Sequence, residues 1–431
     1  MPSLPPALHH RDFRRLWSSM VLSGLALQMA QVAIGWQVYA IHHRAFDLGL
    51  IGLAEFVPVP LLALPAGQLA DRLPRVAVVI VAGLADAGVM GLLLLVTLHG
   101  ARALWEFVAL AALTGAISSL GNPAGRSLTP ELVPAELLTG ALALRSVAGQ
   151  ASTIAGPAVG GLLFALRAEA VYAVAIGLLV GSSLLLVRLH RPELVERLEP
   201  EPPGLRRLLG GIRFIRATPV ILGAITLDLF AVLFGGAVAL LPLFAKSILH
   251  TGPFGLGVLR SAIAVGALVA GLGLAKRPLG GRAGRTLLVV VAVFGASMVV
   301  FGLSRWFWLS ALALAVSGFA DMISMNIRAT TVALATPNEL RGRVNAVEGV
   351  FIGASNELGA FESGAAAALV GAVPAVVVGG ALTVVLAAVW SRVFPALAAV
   401  DRMEELALPA RGGEVLPVGR RRPAAAPEPA D

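Results

Sequence analysis

The sequence predicts an all-α membrane protein with twelve transmembrane helices in two six-helix halves. Composition, the spacing of apolar runs and the placement of basic residues all point to this fold class. Of the 431 residues, 57% are hydrophobic and 13% are charged, whereas soluble domains are about 45–50% apolar and about 25% charged. The 48 glycines and 27 prolines are interleaved with Leu, Val and Ala, which is typical of membrane helices.

The apolar runs have the length that a membrane requires. A hydrocarbon core of about 30 Å needs about 20 apolar residues for each helical crossing. Twelve stretches qualify, at residues 15–41, 48–70, 76–98, 103–124, 137–166, 169–188, 219–245, 254–275, 286–303, 306–332, 343–369 and 373–394. Most loops between them are short, which predicts antiparallel neighbouring helices.

One long connection, residues 189–218, divides the predicted helices into six plus six. It contains Glu-Pro-Glu-Pro-Pro followed by several arginines. We therefore expect an N-terminal segment at 1–14, halves at 15–188 and 219–395 joined by this linker, and a disordered tail at 396–431. A weak internal repeat, Leu-Ala-Asp-Arg at 69–72 against Leu-Ala-Lys-Arg at 274–277, supports two parallel repeats with a substrate site between them at mid-membrane.

The basic residues predict the orientation. With the N-terminus in the cytoplasm, 25 of the 33 Lys and Arg residues fall on cytoplasmic segments, and five fall on outer loops. This asymmetry follows the positive-inside rule. It predicts cytoplasmic N- and C-termini in a prokaryotic cytoplasmic membrane, and it explains the basic character of the chain without a nucleic-acid partner.

Two motifs are similar to those of the major facilitator superfamily. The first cytoplasmic loop, at 67–75, reads Gly-Gln-Leu-Ala-Asp-Arg-Leu-Pro-Arg and resembles the loop between helices 2 and 3 of that superfamily. The resemblance implies a cytoplasmic gate formed by Gly67, Asp71, Arg72 and Arg75. Asp71 is expected near the start of helix 11, at residues 343–345. In the second half Lys276 replaces the acid, which argues against symmetric gating.

Predicted helix 5 contains the second motif, Gly-Pro-Ala-Val-Gly-Gly at 156–161. It resembles the antiporter motif of the superfamily, carried here by Gly156, Pro157, Gly160 and Gly161, and this resemblance favours export. Ordinary packing of small residues is the alternative. Segments 129–133, 336–345 and 355–364 further resemble the enterobactin-exporter-like branch, also called transmembrane secretion effectors. That resemblance covers residues 9–400, and it implies siderophore- or drug-like substrates.

Ionisable residues inside predicted spans are candidate functional groups, because each costs a few kcal/mol at the bilayer centre. They are Glu55, Asp86, Arg145, Asp228, Arg260, Asp321, Arg328, Glu348, Glu357 and Glu362. We expect the proton-coupling or cavity residues to be Asp228, Asp321, Glu357, Arg145 and Glu362. Arg328 and Glu348 are shallow enough to extend to the interface.

Asp228 is the expected coupling acid, because no basic residue lies near it in sequence. A buried carboxylate without a partner favours its protonated form and can exchange protons near neutral pH. A proton and a cationic or amphiphilic substrate would then compete for Asp228. For Glu357 we favour a structural role as the partner of an arginine or of backbone, with a role as proton carrier as the alternative. Asp321 and Arg328, seven residues apart, lie about 10 Å apart along one helix face, so each needs a partner on another helix.

These observations predict a monomeric, proton-coupled exporter of a small amphiphilic molecule, with the lipid bilayer as its surroundings and no cofactor. No phosphate-binding glycine loop occurs, and without cysteine there is no thiolate metal site. An uptake symporter of the same fold remains an alternative. A membrane-bound acyltransferase, suggested by His42 and Asp47, is a more remote one.

Overall fold

The computed structural model describes residues 5–62, 73–189, 205–277, 281–402 and 406. Twelve long helices lie within these ranges, one for each predicted span. We number them α1 (Arg11–His42), α2 (Ala45–Leu62), α3 (Arg75–Leu98), α4 (Leu104–Glu131), α5 (Leu138–Leu166), α6 (Ala168–Val187), α7 (Pro219–Ile248), α8 (Pro253–Lys276), α9 (Ala283–Leu303), α10 (Phe307–Ala335), α11 (Asn338–Val370) and α12 (Ala372–Val393).

Eleven of these helices are long and apolar enough to cross a membrane by length and composition. The exception is α11, which has 33 residues but carries Glu348, Glu357 and Glu362 along its length. It packs against α2, α7 and α12, so it runs through the same bundle as the others. The all-α membrane fold is confirmed, and α11 is the one predicted span that does not meet the criteria of length and apolarity.

The helices form two groups that meet along a limited set of helix pairs. Within the first half α1 packs against α5 and α6, and α3 packs against α4 and α6. Within the second half α9 packs against α10 and α12, and α8 packs against α10. The main contacts between the halves are α5 with α8 and α2 with α11. These two pairs therefore frame whatever space lies between the halves.

The bundle has two distinct ends. We call the end at which α1 begins and α12 ends the termini end, and the end at which α1 reaches His42 and α2 begins the opposite end. Buried clusters of both halves extend toward the opposite end. There Tyr172 donates to Gln37 Oε1 at 2.6 Å inside the first half, and the rings of Phe244 and Phe301 lie 4.6 Å apart inside the second.

The N-terminal segment contains regular structure before the predicted first span. Residues Pro6–His9 form a 3₁₀ turn, and α1 begins at Arg11 rather than at 15. Ala7 and Leu8 are buried in a cluster with Phe13, because this turn folds under the ends of α4 and α5. The helix α4 also extends beyond the predicted 124 to Glu131 and contains two prolines.

The tail also begins later than predicted. Residues Pro395–Ala398 form a short helix, and Asp401 Oδ1 accepts a hydrogen bond from the Arg282 backbone N–H at 2.8 Å. The Ala283 backbone N–H donates to Asp401 O at 3.0 Å. The expected disorder from 396 is therefore wrong up to residue 402. Residues 403–405 and 407–431 lie outside the described ranges.

Part of the predicted linker is helical. The linker helix, Leu205–Ala217, packs against α11 and α7, where Ile215 is buried in a cluster with Ile221 and Val344. Gly211 lies close to the Arg343 backbone, since a Cβ at Gly211 would approach Arg343 O to 2.9 Å. The linker helix thus attaches to the second half at the termini end, and residues 190–204 lie outside the described ranges.

The helix α7 is irregular where it faces the centre of the bundle. Regular α-helix ends at Gly235, and the chain continues through a 3₁₀ turn at Ala237–Leu240 and a π turn at Phe244–Ile248. Such departures from α-helical geometry often occur at functional hinges. Irregular backbone inside a membrane bundle is tolerated where it is buried in protein or lines a cavity.

Candidate functional site

A cavity of about 510 Å³ lies between the two halves near the middle of the bundle. Its walls come from α1, α2, α3 and α4 on one side and from α7, α8, α9, α10 and α11 on the other. Most of the wall is apolar, with Phe107 and Leu110 in the first half and Phe294, Met298 and Leu314 in the second. This size falls within the range of small-molecule sites.

The cavity is closed at the opposite end by contacts between the halves. Tyr39 Oη and Ser247 Oγ lie 2.8 Å apart, joining α1 to α7. A Cβ placed on Gly364 of α11 would come within 2.8 Å of Gly49 Cα on α2. Only glycine permits so close an approach of two backbones, so these positions seal one side of the cavity.

Toward the termini end, the face of α11 that carries Glu357 meets open space. Gly349, Gly353 and Glu357 recur at four-residue spacing and therefore share one face of the helix. Glu357 lines the cavity, whereas a Cβ at Gly349 or Gly353 would meet no atom within 4 Å. The cavity is thus sealed at the opposite end and continues into open space along α11 toward the termini end.

Among the residues that the structure describes, four charged side chains line the cavity, one from each of four helices. Glu55 comes from α2, Arg260 from α8, Asp321 from α10 and Glu357 from α11. Arg260 reaches across the interface between the halves and donates a hydrogen bond to Gln31 Oε1 at 3.1 Å. Its guanidinium also attracts the Glu55 carboxylate electrostatically. Arg260 therefore connects the second half to two helices of the first.

Glu357 was expected to be a structural partner of an arginine or of backbone, and the structure contradicts this. Its carboxylate lies beside Gly52, where an added Cβ would approach Glu357 Oε2 to 3.3 Å. Within the described ranges Glu357 makes no hydrogen bond or ion pair. The reason is that α11 turns this position toward the cavity, where Arg260 interacts with Gln31 and Glu55 instead.

Asp228 was expected to lack a partner, and this expectation is also wrong. Arg328 of α10 forms an ion pair with Asp228 of α7, and its Nε donates to Glu348 Oε1 at 3.3 Å. Arg328 is only 4% exposed and Asp228 only 9%. Arg328 and Glu348 therefore do not extend to the interface as predicted. They are buried because α7, α10 and α11 pack together.

Asp321 lies between this ion-pair group and the cavity. It lines the cavity, and together with Asp228 it also lines an adjoining crevice of about 10 Å³. As predicted, it forms no direct ion pair with Arg328 in the described structure. Asp321 therefore lies both on the cavity wall and beside Asp228, a member of the buried group formed by Asp228, Arg328 and Glu348.

Two predicted cavity residues lie elsewhere. Arg145 of α5 donates to Gly125 O at 3.0 Å and to Thr129 Oγ1 at 3.3 Å, and so it holds α5 against the proline-containing end of α4. Neither Arg145 nor Glu362 is among the residues that line the cavity. Both are ionisable residues inside predicted spans, but in the structure neither contributes to the cavity wall.

The glycines of the α5 motif mark close helix approaches. A Cβ at Gly160 would come within 2.7 Å of Met29 Cα on α1, and one at Gly156 within 2.5 Å of Gln28 Cβ. A Cβ at Gly161 would approach Pro253 O of α8 to 2.5 Å. Gly160 and Gly156 therefore tie α5 to its own half, and Gly161 faces the helix of the other half at the sealed end.

Three residues of the predicted gate loop, Gly67, Asp71 and Arg72, lie outside the described ranges, and so does the expected contact of Asp71 with α11. Arg75 is described. It begins α3 and forms an ion pair with Glu131 at the end of α4. This pair joins two helices of the first half at the termini end, beside the loop.

Sequence reasoning did not select Glu55, Arg260 or Gln31 for the site. Glu55 and Arg260 carried the signal of a charged residue inside an apolar span, but nothing in the sequence shows which of ten such residues face one another. Asp86 of α3 is a further charged residue next to this site that sequence reasoning did not select. Its Oδ1 is buried without a hydrogen-bond partner, and its carboxylate interacts electrostatically with Glu55.

The twelve-helix bundle with a cavity between its two halves is a fold that solved membrane transporters share. A variant of the nucleoside transporter NupG superimposes with a TM-score of 0.70 at 13% identity, covering 89% of this chain and 99% of that one. A bacterial homologue of the human lysosomal transporter Spinster, in an inward-facing and unoccupied conformation, gives 0.68 at 13% identity over 92% of this chain and 97% of that one.

The particular family follows from the sequence. The family model of transmembrane secretion effectors matches residues 3–412, and the chain belongs to this family of major facilitator transporters. The enterobactin exporter EntS of Shigella boydii is 29% identical over 345 residues, which is 78% of this chain and 80% of the relative. The protein is therefore a multi-pass membrane transporter for a small molecule, and its family is one of transporters rather than enzymes.

Proposed function

We propose that the protein is a proton-coupled exporter of small amphiphilic molecules in a prokaryotic cytoplasmic membrane. The observation that carries the proposal is the cavity between the halves, with carboxylates that lack ion-pair partners. Glu357 and Asp321 come from one half and Glu55 from the other. A transporter that exchanges protons for substrate needs ionisable groups of this kind where the two halves meet.

The direction of transport rests on the relatives and on orientation. The relatives are named as exporters of enterobactin, and the α5 motif favours export. The excess of basic residues on the loops of the termini end assigns that end to the cytoplasm. The cavity then opens toward the cytoplasm and is sealed toward the outside, which is the arrangement in which an exporter loads its substrate.

We assign proton coupling to Glu357, together with Asp321 and Glu55, rather than to Asp228. Asp228 already has its charge balanced by Arg328 in this conformation. Glu357 lacks such a partner and faces the space that a substrate would occupy. The two six-helix halves, 15–188 and 219–395, act as the two moving bodies, and the protein works as a monomer without cofactor or nucleic acid.

Transport in reconstituted vesicles tests the proposal. The protein is inserted into proteoliposomes whose lumen is made acidic. Uptake of fluorescent amphiphiles and of enterobactin is followed through those molecules whose cytoplasmic side faces the external medium (the inside-out orientation). We expect accumulation of at least one compound, driven by the pH gradient. Glu357→Gln should abolish the accumulation and retain downhill exchange, while Glu362→Gln, on the same helix but outside the cavity, should behave like wild type.

Two outcomes contradict the proposal. Accumulation that depends on the gradient but runs in the opposite direction would identify an uptake symporter. Unchanged uphill transport by Glu357→Gln would remove the coupling role from this residue and leave Asp321 or Glu55 to be tested in the same way.

A further inference from the structure

The charges around the cavity are unbalanced. In the described part of the chain, three carboxylates, those of Glu55, Asp321 and Glu357, line it together with a single guanidinium, that of Arg260. Arg260 is already engaged, because it donates to Gln31 and attracts Glu55. Asp321 and Glu357 are left without a counter-charge on the cavity wall.

The second half does contain another arginine nearby, but it faces away from the cavity. Arg328 is 4% exposed and is occupied by Asp228 and Glu348. The described part of the chain therefore offers the cavity no further positive group. The excess of carboxylates is a property of the wall itself, and it is independent of the motifs in the sequence.

Unpartnered carboxylates in a space walled by protein require a positive partner or a proton. An unpaired ionised group is strongly disfavoured away from water. A ligand with a positively charged nitrogen or phosphorus centre can supply this charge, whereas an organic anion would be repelled by Glu357 and Asp321. If such a ligand is exchanged for protons, the carboxylates have either the cation or a proton as their partner throughout the transport cycle.

The remainder of the wall determines what the cation must look like. Phe107, Phe294, Met298, Leu314 and Leu110 form most of the surface around the charged groups. Aromatic faces attract cations and apolar bodies alike. A small hydrophilic cation would leave this surface exposed to water, while a cation with an aromatic or branched aliphatic body would cover it.

We infer that the cavity selects cationic amphiphiles, with Glu357 and Asp321 facing the positive centre and the apolar wall holding the body of the ligand. The inference rests on the proposed function, since it takes the cavity to be the transport site. It predicts that organic anions are not preferred substrates.

A matched pair of lipophilic ions tests this charge selection by binding alone. Tetraphenylphosphonium and tetraphenylborate have nearly the same shape and opposite charge. Their binding to the full-length protein purified in detergent is measured by isothermal titration calorimetry. We expect tetraphenylphosphonium to bind at least tenfold more tightly than tetraphenylborate. Glu357→Gln should reduce cation affinity at least tenfold, and the control Glu362→Gln should leave it unchanged.

The remaining outcomes separate this inference from the proposed function. Equal or tighter binding of tetraphenylborate, or no binding of either ion, overturns the inference of cation selection. An unchanged affinity in Glu357→Gln overturns the role of this carboxylate. Selective cation binding without transport driven by a pH gradient would uphold the inference while contradicting the proposed proton-coupled export, so the two failures are distinguishable.

Discussion

Removal of the Arg328 side chain is expected to destabilise the protein more than removal of the Asp228 charge. Arg328 is nearly fully buried and is paired with Asp228 on one side and Glu348 on the other. Arg328→Met therefore leaves two carboxylates without their shared counter-charge. Asp228→Asn leaves Arg328 paired with Glu348 and retains an amide oxygen as a hydrogen-bond acceptor.

The expected magnitudes follow from these contacts. Breaking a buried ion pair by removing one partner costs about 3–5 kcal/mol, and this applies to Arg328→Met. Loss of a hydrogen bond to a charged group costs about 1.5–3 kcal/mol, which is an upper bound for Asp228→Asn. The actual cost should be lower, because Asp321 is repelled by Asp228 and gains when that charge is removed.

Thermal unfolding in detergent, followed by size-exclusion chromatography of heated samples, measures the ranking. The double variant Asp228→Asn/Arg328→Met should be less destabilised than the sum of the single variants, by about 0.5–3 kcal/mol, because the two residues are in direct contact. Lys276→Met is the control, since Lys276 is an exposed basic residue at the end of α8. It should melt like wild type.

Two results would refute this reasoning. The first is a melting temperature of Arg328→Met equal to or above that of Asp228→Asn, and the second is strict additivity in the double variant. Transport gives a separate check, because folded Asp228→Asn should retain uphill efflux if Glu357 is the coupling acid. Loss of uphill efflux with intact exchange would instead restore Asp228 to the role that the sequence predicted.

Three further predictions concern packing, topology and the gate. Gly160→Ala should lower the melting temperature, because its Cβ would meet Met29 Cα at 2.7 Å. The control Gly149→Ala, whose Cβ would meet no atom within 4 Å, should be neutral or stabilising by up to about 1 kcal/mol. Equal effects of the two substitutions would contradict the close approach at Gly160. A tag at His99 should be accessible from outside the cell and a tag at Ala283 from the cytoplasm, and labelling of Ala283 from outside would reject the orientation. Asp71→Asn should lower the transport rate at unchanged expression, and a wild-type rate would show that the gate does not depend on this charge.

Most of the helices could be predicted from the sequence to within a few residues. Predicted spans 76–98, 137–166 and 373–394 differ from α3, α5 and α12 by one residue at most. The reason is that a bilayer imposes one length and one polarity on every crossing, and both can be counted along the chain. The main departures, at the N-terminal turn and at residues 395–402, are polar or short segments that tertiary packing orders outside the spans.

The list of candidate charges also came from the sequence, because a charged residue in an apolar run is visible without a structure. Glu357 and Asp321 were among those selected, and both line the cavity. Their roles could not be derived in the same way. A pair such as Arg328 and Asp228 is separated by a hundred residues, so the sequence around either residue does not reveal its partner.

Tertiary structure alone decided which acid is paired and which faces the cavity. The packing of α7, α10 and α11 brings Arg328 to Asp228 and Glu348 and leaves Glu357 without a counter-charge beside Gly52. Helical periodicity determines the direction of a side chain relative to its own helix, but the rotation of that helix in the bundle is set by contacts with its neighbours. The sequence thus determined the membrane fold and the set of buried charges, and the packing of helices distant in the chain determined their pairing.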